Sequence, residues 1–118
     1  MKRGDIWTVA GGAEYAGKPR PVVIVQHDHF DATESITICA FTTDATEAPL
    51  FRLAVAPDDR HGLRAESRLM VDKLTTVPQA RRGSRVGRLA EADMLRLNQA
   101  MMVFLGLAAS PRAGAKPR

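Results

Sequence analysis

The segment PVVIV at residues 21–25 restricts the fold of this chain more than any other part of the sequence. A short, nearly continuous run of β-branched residues predicts a strand buried on both faces, because a strand with one face in water would alternate with polar residues. Such a strand needs a neighbour on each edge, and its proline is tolerated only at the start. The sequence therefore predicts a sheet with residues 21–25 at its centre.

Four further segments predict the other strands of this sheet. Each is short, rich in β-branched or aromatic residues, and bounded by residues that favour turns. They lie at residues 5–10, 35–42, 51–56 and 67–74. Residues 27–34 are polar and are interpreted as a turn, and residues 75–78 are interpreted as a turn that leads away from the last strand.

The last predicted element is a helix at residues 91–108. Apolar side chains recur there at steps of three and four, which places them on one helix face. They are Met94, Leu97, Met101, Phe104 and Leu105. Strands first and a helix last predict the α+β class: a small antiparallel sheet or SH3-like barrel with a C-terminal amphipathic helix. We expect one domain over residues 1–109 and a flexible tail over 110–118.

Charge is distributed unevenly along the chain, although the formal net charge is only +4. Residues 31–59 hold six acidic residues and one basic residue, whereas residues 60–88 hold eight basic and two acidic residues. A basic segment of this kind is compatible with a nucleic-acid backbone as ligand, and also with a solvated surface.

The sequence also predicts where the protein works. No apolar run approaches the roughly 20 residues that a membrane-spanning helix needs. The charged residues 1–5 do not lead into an apolar segment, as a signal peptide would. The single cysteine, Cys39, lies in an alternating segment and predicts a buried thiol without a disulfide. We expect a cytoplasmic protein without a membrane partner.

General catalytic motifs give little information about function. The sequence has no phosphate-binding glycine loop, no dinucleotide fingerprint and no paired-cysteine zinc motif. His27 and His29 flank an aspartate and offer possible metal ligands, but they lie in a predicted turn, so we expect solvated histidines and neither metal nor cofactor. The residues alone thus indicate a basic α+β domain and no more.

Several segments, however, resemble the MazF/PemK toxin family in the order in which that family carries them. KRGDIW at residues 2–7 and GKPRPVVIVQ at 17–26 are similar to its opening strand, glycine-containing loop and following Arg-Pro-Val strand. CAFTT at 39–43, SRLMVDKL at 67–74 and GRL at 87–89 resemble its later segments. The resemblance covers nearly the whole chain except the tail.

The resemblance implies a toxin of a type II toxin–antitoxin system that cleaves single-stranded RNA at short sequence motifs without a metal ion. In this family an arginine and a threonine carry cleavage, and they correspond to Arg20 and Thr42. An acid in the preceding loop can serve as the base, and Glu14 lies nearest to that position. An arginine fork suits phosphate oxygens when the RNA 2′-OH attacks the adjacent phosphate, and a threonine hydroxyl can orient the reacting groups.

The resemblance also implies an RNA-binding surface and protein partners. We assign RNA contacts to Lys18, His27, Thr43, Lys73, Arg81 and Arg82. The family forms homodimers, and a cognate antitoxin places an acidic C-terminal tail in the groove that binds RNA. Two polyanions would then compete for one basic groove.

Two departures from the family pattern and two alternatives remain. His27-Asp28-His29 stands where the family commonly has small polar residues. Thr75 stands where the family commonly has an arginine, so RNA affinity at residues 72–76 depends on Lys73 or on the basic residues at 81–88. A toxin of the CcdB type shares the fold, binds DNA gyrase and has no nuclease activity. A nucleic-acid-binding module without catalysis is the other alternative. The pair Arg20 and Thr42 favours the nuclease, because the gyrase-binding toxins do not share it.

Overall fold

A computed structural model describes residues 1–10, 18–48, 50–58, 63 and 65–109. In these ranges an antiparallel sheet is followed by one α-helix, which confirms the predicted α+β class. The elements are β1 (Asp5–Ala10), β2 (Pro19–Ile24), β3 (Ser35–Thr42), β4 (Arg52–Val55), β5 (Ser67–Met70), β6 (Thr75–Pro78), β7 (Arg82–Arg88) and α1 (Glu91–Phe104).

The strand order is β4-β5-β3-β2-β1-β7, with β6 paired to β3 outside this path. β3 changes partners along its length, since Ser35 to Ile38 pair with β6 whereas Phe41 and Thr42 pair with β5. β2 lies between β1 and β3, so its predicted central position is confirmed.

Successive side chains of β2 enter two different apolar clusters, as alternation along a strand requires. Val23 joins the cluster that contains Leu97 of α1. Val22 and Ile24 join a second cluster with residues of β1 and β3. Both faces of β2 are therefore buried from Val22 to Ile24, and this explains why its sequence is apolar at these consecutive positions.

Four strands differ from the sequence predictions. β2 begins at Pro19, so Pro21 lies inside it and not at its start. Residues 75–78 form β6 and not a turn, because their backbone pairs with Ser35 to Ile38 of β3 and their β-branched side chains favour a strand. The fifth predicted strand ends at Met70, since Val71–Lys73 form a 3₁₀ turn. β7 has no predicted counterpart: its arginines and glycines are poor strand formers, and pairing with β1 overrides their preference.

Helix α1 ends at Phe104 and not at residue 108 as predicted. Gly106 takes a left-handed φ of +77°, and the N–H groups of Gly106 and Leu107 donate to Val103 O at 3.0 Å and Met102 O at 2.7 Å. This double closure is a Schellman motif, which stops a helix. Leu97 is buried as predicted, but Phe104 and Leu105 are 47% and 57% exposed because they lie at the helix end, past the core.

The other predictions about the whole chain have different outcomes. Cys39 is buried, and burial followed by the negative charge of Asp72 raises the pKa of its thiol to about 12, so the predicted buried thiol is confirmed. Among the described residues, none of the helices has the length and apolar character needed to cross a membrane. A single domain over residues 1–109 stays a prediction, and the tail at 110–118 lies outside the described residues.

Candidate functional site

A cavity of about 460 Å³ opens where β2 begins and β3 ends. Its described lining consists of Arg20, Pro21, Phe41, Thr42, Thr43, Ser67, Met70 and Lys73. The fold therefore brings the predicted residues Arg20, Thr42, Thr43 and Lys73 to one pocket, although they belong to separate segments of the sequence.

The pairing of β2 with β3 explains why Arg20 and Thr42 line the same pocket. In this antiparallel ladder Val22 stands opposite Ala40. The paired residues end there, and Arg20 and Thr42 lie two residues beyond Val22 and Ala40 on their strands. Val22 and Ala40 both point into the second apolar cluster, so Arg20 and Thr42, each two residues away, extend the same face of the sheet.

The hydroxyl of Thr42 has a defined partner. Its Oγ1 accepts a hydrogen bond from the backbone N–H of Asp44 at 3.1 Å. A hydroxyl has one proton to donate and two lone pairs to accept with. Because the Asp44 N–H occupies one lone pair, the hydroxyl proton is left to be donated to another acceptor, such as a phosphate oxygen in the pocket.

The loop that leaves β3 is held by its own side chains. Asp44 Oδ1 accepts hydrogen bonds from Thr46 N at 2.9 Å and Thr46 Oγ1 at 2.7 Å. These bonds are the main reason why the pKa of the Asp44 carboxyl lies below its ordinary value. Arg68 of β5 donates to Glu47 Oε1 at 3.0 Å and to Asp44 O at 3.5 Å. Arg68 therefore connects β5 to the loop that follows Thr42.

Lys73 reaches the pocket from the 3₁₀ turn Val71–Lys73. Val71 is fully buried, and its N–H donates to Phe51 O at 2.9 Å. Asp72 forms a two-point pair with Arg52, and the hydrogen bonds from Arg52 lower the pKa of the Asp72 carboxyl. The backbone bond of Val71 and the ion pair of Asp72 therefore hold in place the turn that carries Lys73.

Sequence reasoning missed four lining residues, namely Pro21, Phe41, Ser67 and Met70. Ser67 is buried, and its hydroxyl donates to Ala65 O at 3.2 Å, which leaves its lone pairs to accept a bond. Phe41 and Met70 give the pocket an apolar wall. A serine or an apolar residue in a strand carries no sequence signal of a site, and only the pairing of β3 with β5 shows that these side chains share the pocket.

The described lining does not include Lys18, His27, Arg81 or Arg82. Lys18 is exposed directly before β2, and Arg81 is exposed in the turn before β7. Arg82 lies closer to the pocket, because Val9 pairs with Arg20 on one side and with Arg82 on the other. Two strand spacings separate these backbones by roughly 10 Å. The Arg82 Cζ atom lies 4.6 Å from the centre of the Trp7 ring.

His27 lies past the other end of β2, roughly 20 Å along the strand direction from Arg20. His27 Nδ1 accepts the N–H of His29 at 3.0 Å, and the two rings are 4.7 Å apart. Within the described ranges, no group of three or more His, Cys, Asp and Glu residues is arranged to hold a metal ion. Glu14, the predicted base, lies outside the described residues.

The pocket combines groups that suit a nucleic-acid phosphodiester and the nucleobase next to it. A guanidinium, an ammonium and hydroxyl groups surround its polar side, and such donors bind phosphate oxygens. The apolar wall of Phe41 and Met70 offers a surface against which a splayed base can pack.

Comparisons with known proteins identify relatives of this chain. Residues 2–105 match the model of the PemK-like, MazF-like toxins of type II toxin–antitoxin systems. A Mycolicibacterium smegmatis protein named as a probable endoribonuclease MazF is 55% identical over 108 residues, which are 92% of this chain and 99% of that protein.

Solved structures share the fold at lower identity. An endoribonuclease from a mycobacterial species, in complex with its cognate antitoxin, superposes with a TM-score of 0.77 at 22% identity and covers 93% of this chain and 99% of its own. The Mycobacterium tuberculosis toxin MazF-mt6 gives 0.74 at 21% identity, over 88% of this chain and 98% of its own.

Proposed function

The chain belongs to the family of PemK-like, MazF-like toxins of type II toxin–antitoxin systems, and we propose that its pocket at Arg20 and Thr42 cleaves single-stranded RNA. It is an endoribonuclease toxin, like the 55% identical relative from Mycolicibacterium smegmatis. The observation that supports the location of cleavage is the β2–β3 register, which brings a guanidinium and a hydrogen-bonded hydroxyl to one cavity.

The proposed reaction uses the RNA 2′-OH as its own nucleophile. A bond forms between the 2′-oxygen and phosphorus, the bond from phosphorus to the 5′-oxygen breaks, and a 2′,3′-cyclic phosphate and a 5′-OH result. One proton leaves the 2′-OH and one reaches the departing 5′-oxygen. Negative charge increases on the phosphoryl oxygens during attack, and the Arg20 guanidinium stabilises it.

Thr42 acts in this scheme as a donor and not as a base. The N–H of Asp44 already occupies one lone pair of its oxygen, so the hydroxyl proton is directed toward a phosphoryl oxygen. The acceptor of the 2′-OH proton must be another group, since a hydroxyl is a very weak base and a guanidinium has no site that accepts a proton. Glu14 stays the proposed base, and loss of cleavage in Glu14→Gln tests that role.

The remaining assigned residues would hold the RNA on either side of the reacting phosphate. Thr43 and Lys73 line the same cavity and are proposed to contact the adjacent phosphate. Arg82 is proposed to bind the RNA backbone one phosphate further along. Lys18 and Arg81 are proposed to add positive charge at the edges of this RNA-binding surface. His27 would meet nucleotides farther along, at the opposite end of β2.

We further propose the setting in which this activity is controlled. The toxin works in the cytoplasm as a homodimer, and a cognate antitoxin with an acidic C-terminal tail blocks the basic pocket. The mycobacterial neighbour in complex with its antitoxin supports an antitoxin as partner. Light scattering of the purified protein tests the dimer, which should show about twice the chain mass of 12.8 kDa.

The deciding experiment incubates a single-stranded RNA of several hundred nucleotides with wild type, Arg20→Ala, Thr42→Ala and, as matched control, Asp93→Ala. Asp93 pairs with Arg96 on α1, away from the pocket. We expect wild type and Asp93→Ala to cut the RNA in EDTA, and the two pocket variants to lose cleavage by at least about a hundredfold. Full cleavage by Arg20→Ala would contradict the proposal, and cleavage abolished by EDTA would support metal binding at His27 and His29.

Intact RNA with the wild-type protein would favour one of the other two functions. Inhibition of DNA supercoiling by gyrase would then indicate a toxin of the CcdB type. Binding of RNA or DNA with neither effect would indicate a module without catalysis.

A further inference from the structure

Asp44 is an acid that follows two lining residues, Thr42 and Thr43, of a pocket that should attract phosphate. A carboxylate beside a phosphate site weakens anion binding through like-charge repulsion, so its presence there requires a reason. Its side chain is turned back onto its own loop, where Oδ1 accepts both the N–H and the hydroxyl of Thr46 at 2.9 and 2.7 Å. This double contact closes a compact turn over residues 44–46.

The backbone of Asp44 connects this turn to Thr42. Its N–H donates to Thr42 Oγ1 at 3.1 Å, and its C=O accepts from Arg68 at 3.5 Å. Arg68 stands directly opposite Thr42 in the pairing of β3 with β5. Its guanidinium also binds Glu47, and its side chain is only 14% exposed. The turn is therefore fixed between the end of β3 and the neighbouring strand.

The position of the Asp44 N–H determines where the Thr42 hydroxyl points. A threonine in extended backbone has more than one accessible χ1 rotamer, and a fixed donor at 3.1 Å selects the one that brings Oγ1 to it. The same bond leaves the hydroxyl proton for an acceptor in the cavity. If the turn opened, the N–H would move and the hydroxyl would lose its fixed direction.

We propose that Asp44 is a positioning residue for Thr42: its carboxylate closes the turn with Thr46 and thereby holds the N–H that orients the Thr42 hydroxyl. This inference rests on the proposed role of Thr42 in cleavage. Asp44 acts through hydrogen-bond acceptance and not through its charge, so an asparagine, which retains the carbonyl oxygen, should replace it.

The test compares Asp44→Ala, Asp44→Asn and Thr46→Val with wild type, with Asp93→Ala as the matched control. The substrate is a short single-stranded RNA that spans a mapped cut site, and the same RNA with 2′-O-methyl groups measures binding without cleavage. We expect Asp44→Ala to lower kcat by about tenfold to a hundredfold, as a small misplacement of a reacting group does. Asp44→Asn and Asp93→Ala should stay within about twofold of wild type, and Thr46→Val should fall between, because its N–H still reaches Oδ1.

The Kd for the methylated RNA should stay unchanged or decrease slightly in Asp44→Ala, since a carboxylate near phosphate is removed. An unchanged kcat in Asp44→Ala, or an equal loss in Asp44→Ala and Asp44→Asn, overturns the proposal. If circular dichroism shows that Asp44→Ala does not fold, Thr46→Val decides: a lower kcat at constant Kd supports positioning, and an unchanged kcat overturns it.

Thr42→Ala, measured in parallel, separates this inference from the proposed function. Loss of cleavage in Thr42→Ala together with normal kcat in Asp44→Ala overturns the positioning role and leaves the proposed function intact. Normal cleavage by Thr42→Ala overturns the proposed role of Thr42 itself, and the positioning role with it.

Discussion

Arg52 and Asp72 form a two-point ion pair, with Nε to Oδ1 at 2.7 Å and Nη2 to Oδ2 at 3.0 Å. The side chains are 13% and 24% exposed, so the pair is shielded from water more than most surface pairs. It links the start of β4 to the turn that carries Lys73 into the pocket. This one contact therefore contributes both to the stability of the fold and to the placement of a pocket cation.

Substitution of Asp72 should destabilise the protein. Asp72→Asn removes the charge-assisted bonds and leaves the Arg52 guanidinium without its carboxylate, so we expect the free energy of unfolding to fall by about 1–2 kcal/mol. Urea denaturation at pH 7 measures this. Asp31→Asn, at an exposed aspartate, is the control and should change the free energy of unfolding by less than about 0.5 kcal/mol.

The contribution of Asp72 should also depend on pH. Arg52 holds the pKa of the Asp72 carboxyl below its ordinary value of 3.8. A group whose pKa is lowered on folding stabilises the native state above its unfolded pKa, and the effect is lost as pH falls through the folded pKa. The difference in unfolding free energy between wild type and Asp72→Asn should be constant from pH 7 to 5 and shrink below about pH 4. A difference that does not change down to pH 2 would contradict this.

Arg82 should contribute to RNA binding and not to the chemical step. It stacks on Trp7 at 4.6 Å and lies two strands from Arg20. We expect Arg82→Ala to weaken binding of 2′-O-methyl RNA and to reduce the slope of log K against log salt by about 0.7, the value for one phosphate contact on a single strand. The kcat should not change. Arg96→Ala on α1 is the control. An equal reduction of the salt slope in Arg96→Ala would contradict the assignment of Arg82 as a phosphate contact.

Gly83 is required by a close approach between β7 and β1. A Cβ atom at this position would collide with the Oγ1 of Thr8, which also accepts the N–H of Ser84 at 2.9 Å. We expect Gly83→Ala to lower the free energy of unfolding by about 1–3 kcal/mol through overpacking. Thr8→Ala removes the colliding atom, so the double variant should lose less than the sum of the two single variants. Additive losses would show that the collision is not the cause.

The fold and the site differ in how far the sequence predicts them. β1 and β3 have the predicted bounds because alternation alone specifies a half-buried strand. β7 could not be predicted, since its arginines and glycines form a strand only through pairing with β1. β6 is a short β-branched segment that ends in a proline, and only its pairing with β3 distinguishes it from a turn. Arg20 and Thr42 were predicted because a motif carries them. Asp44 and Ser67 carry no motif. Ser67 shares the pocket because β5 pairs with β3, and hydrogen bonds to Thr42 and Arg68 hold Asp44 beside it.

Cys39 should be chemically inert in the native protein. Burial, followed by the charge of Asp72, raises the pKa of its thiol to about 12, so almost no thiolate exists at pH 8. The side chain is fully buried in β3, opposite Val23 of β2, and a reagent can reach it only after the central strands separate. We expect iodoacetamide to label the native protein at pH 8 no faster than the protein unfolds, and to label it rapidly in urea. Because the chain has a single cysteine, the mass change reports this site alone. Labelling of the native protein at the rate of a free thiol would mean that the centre of the sheet opens far more often than its packing implies.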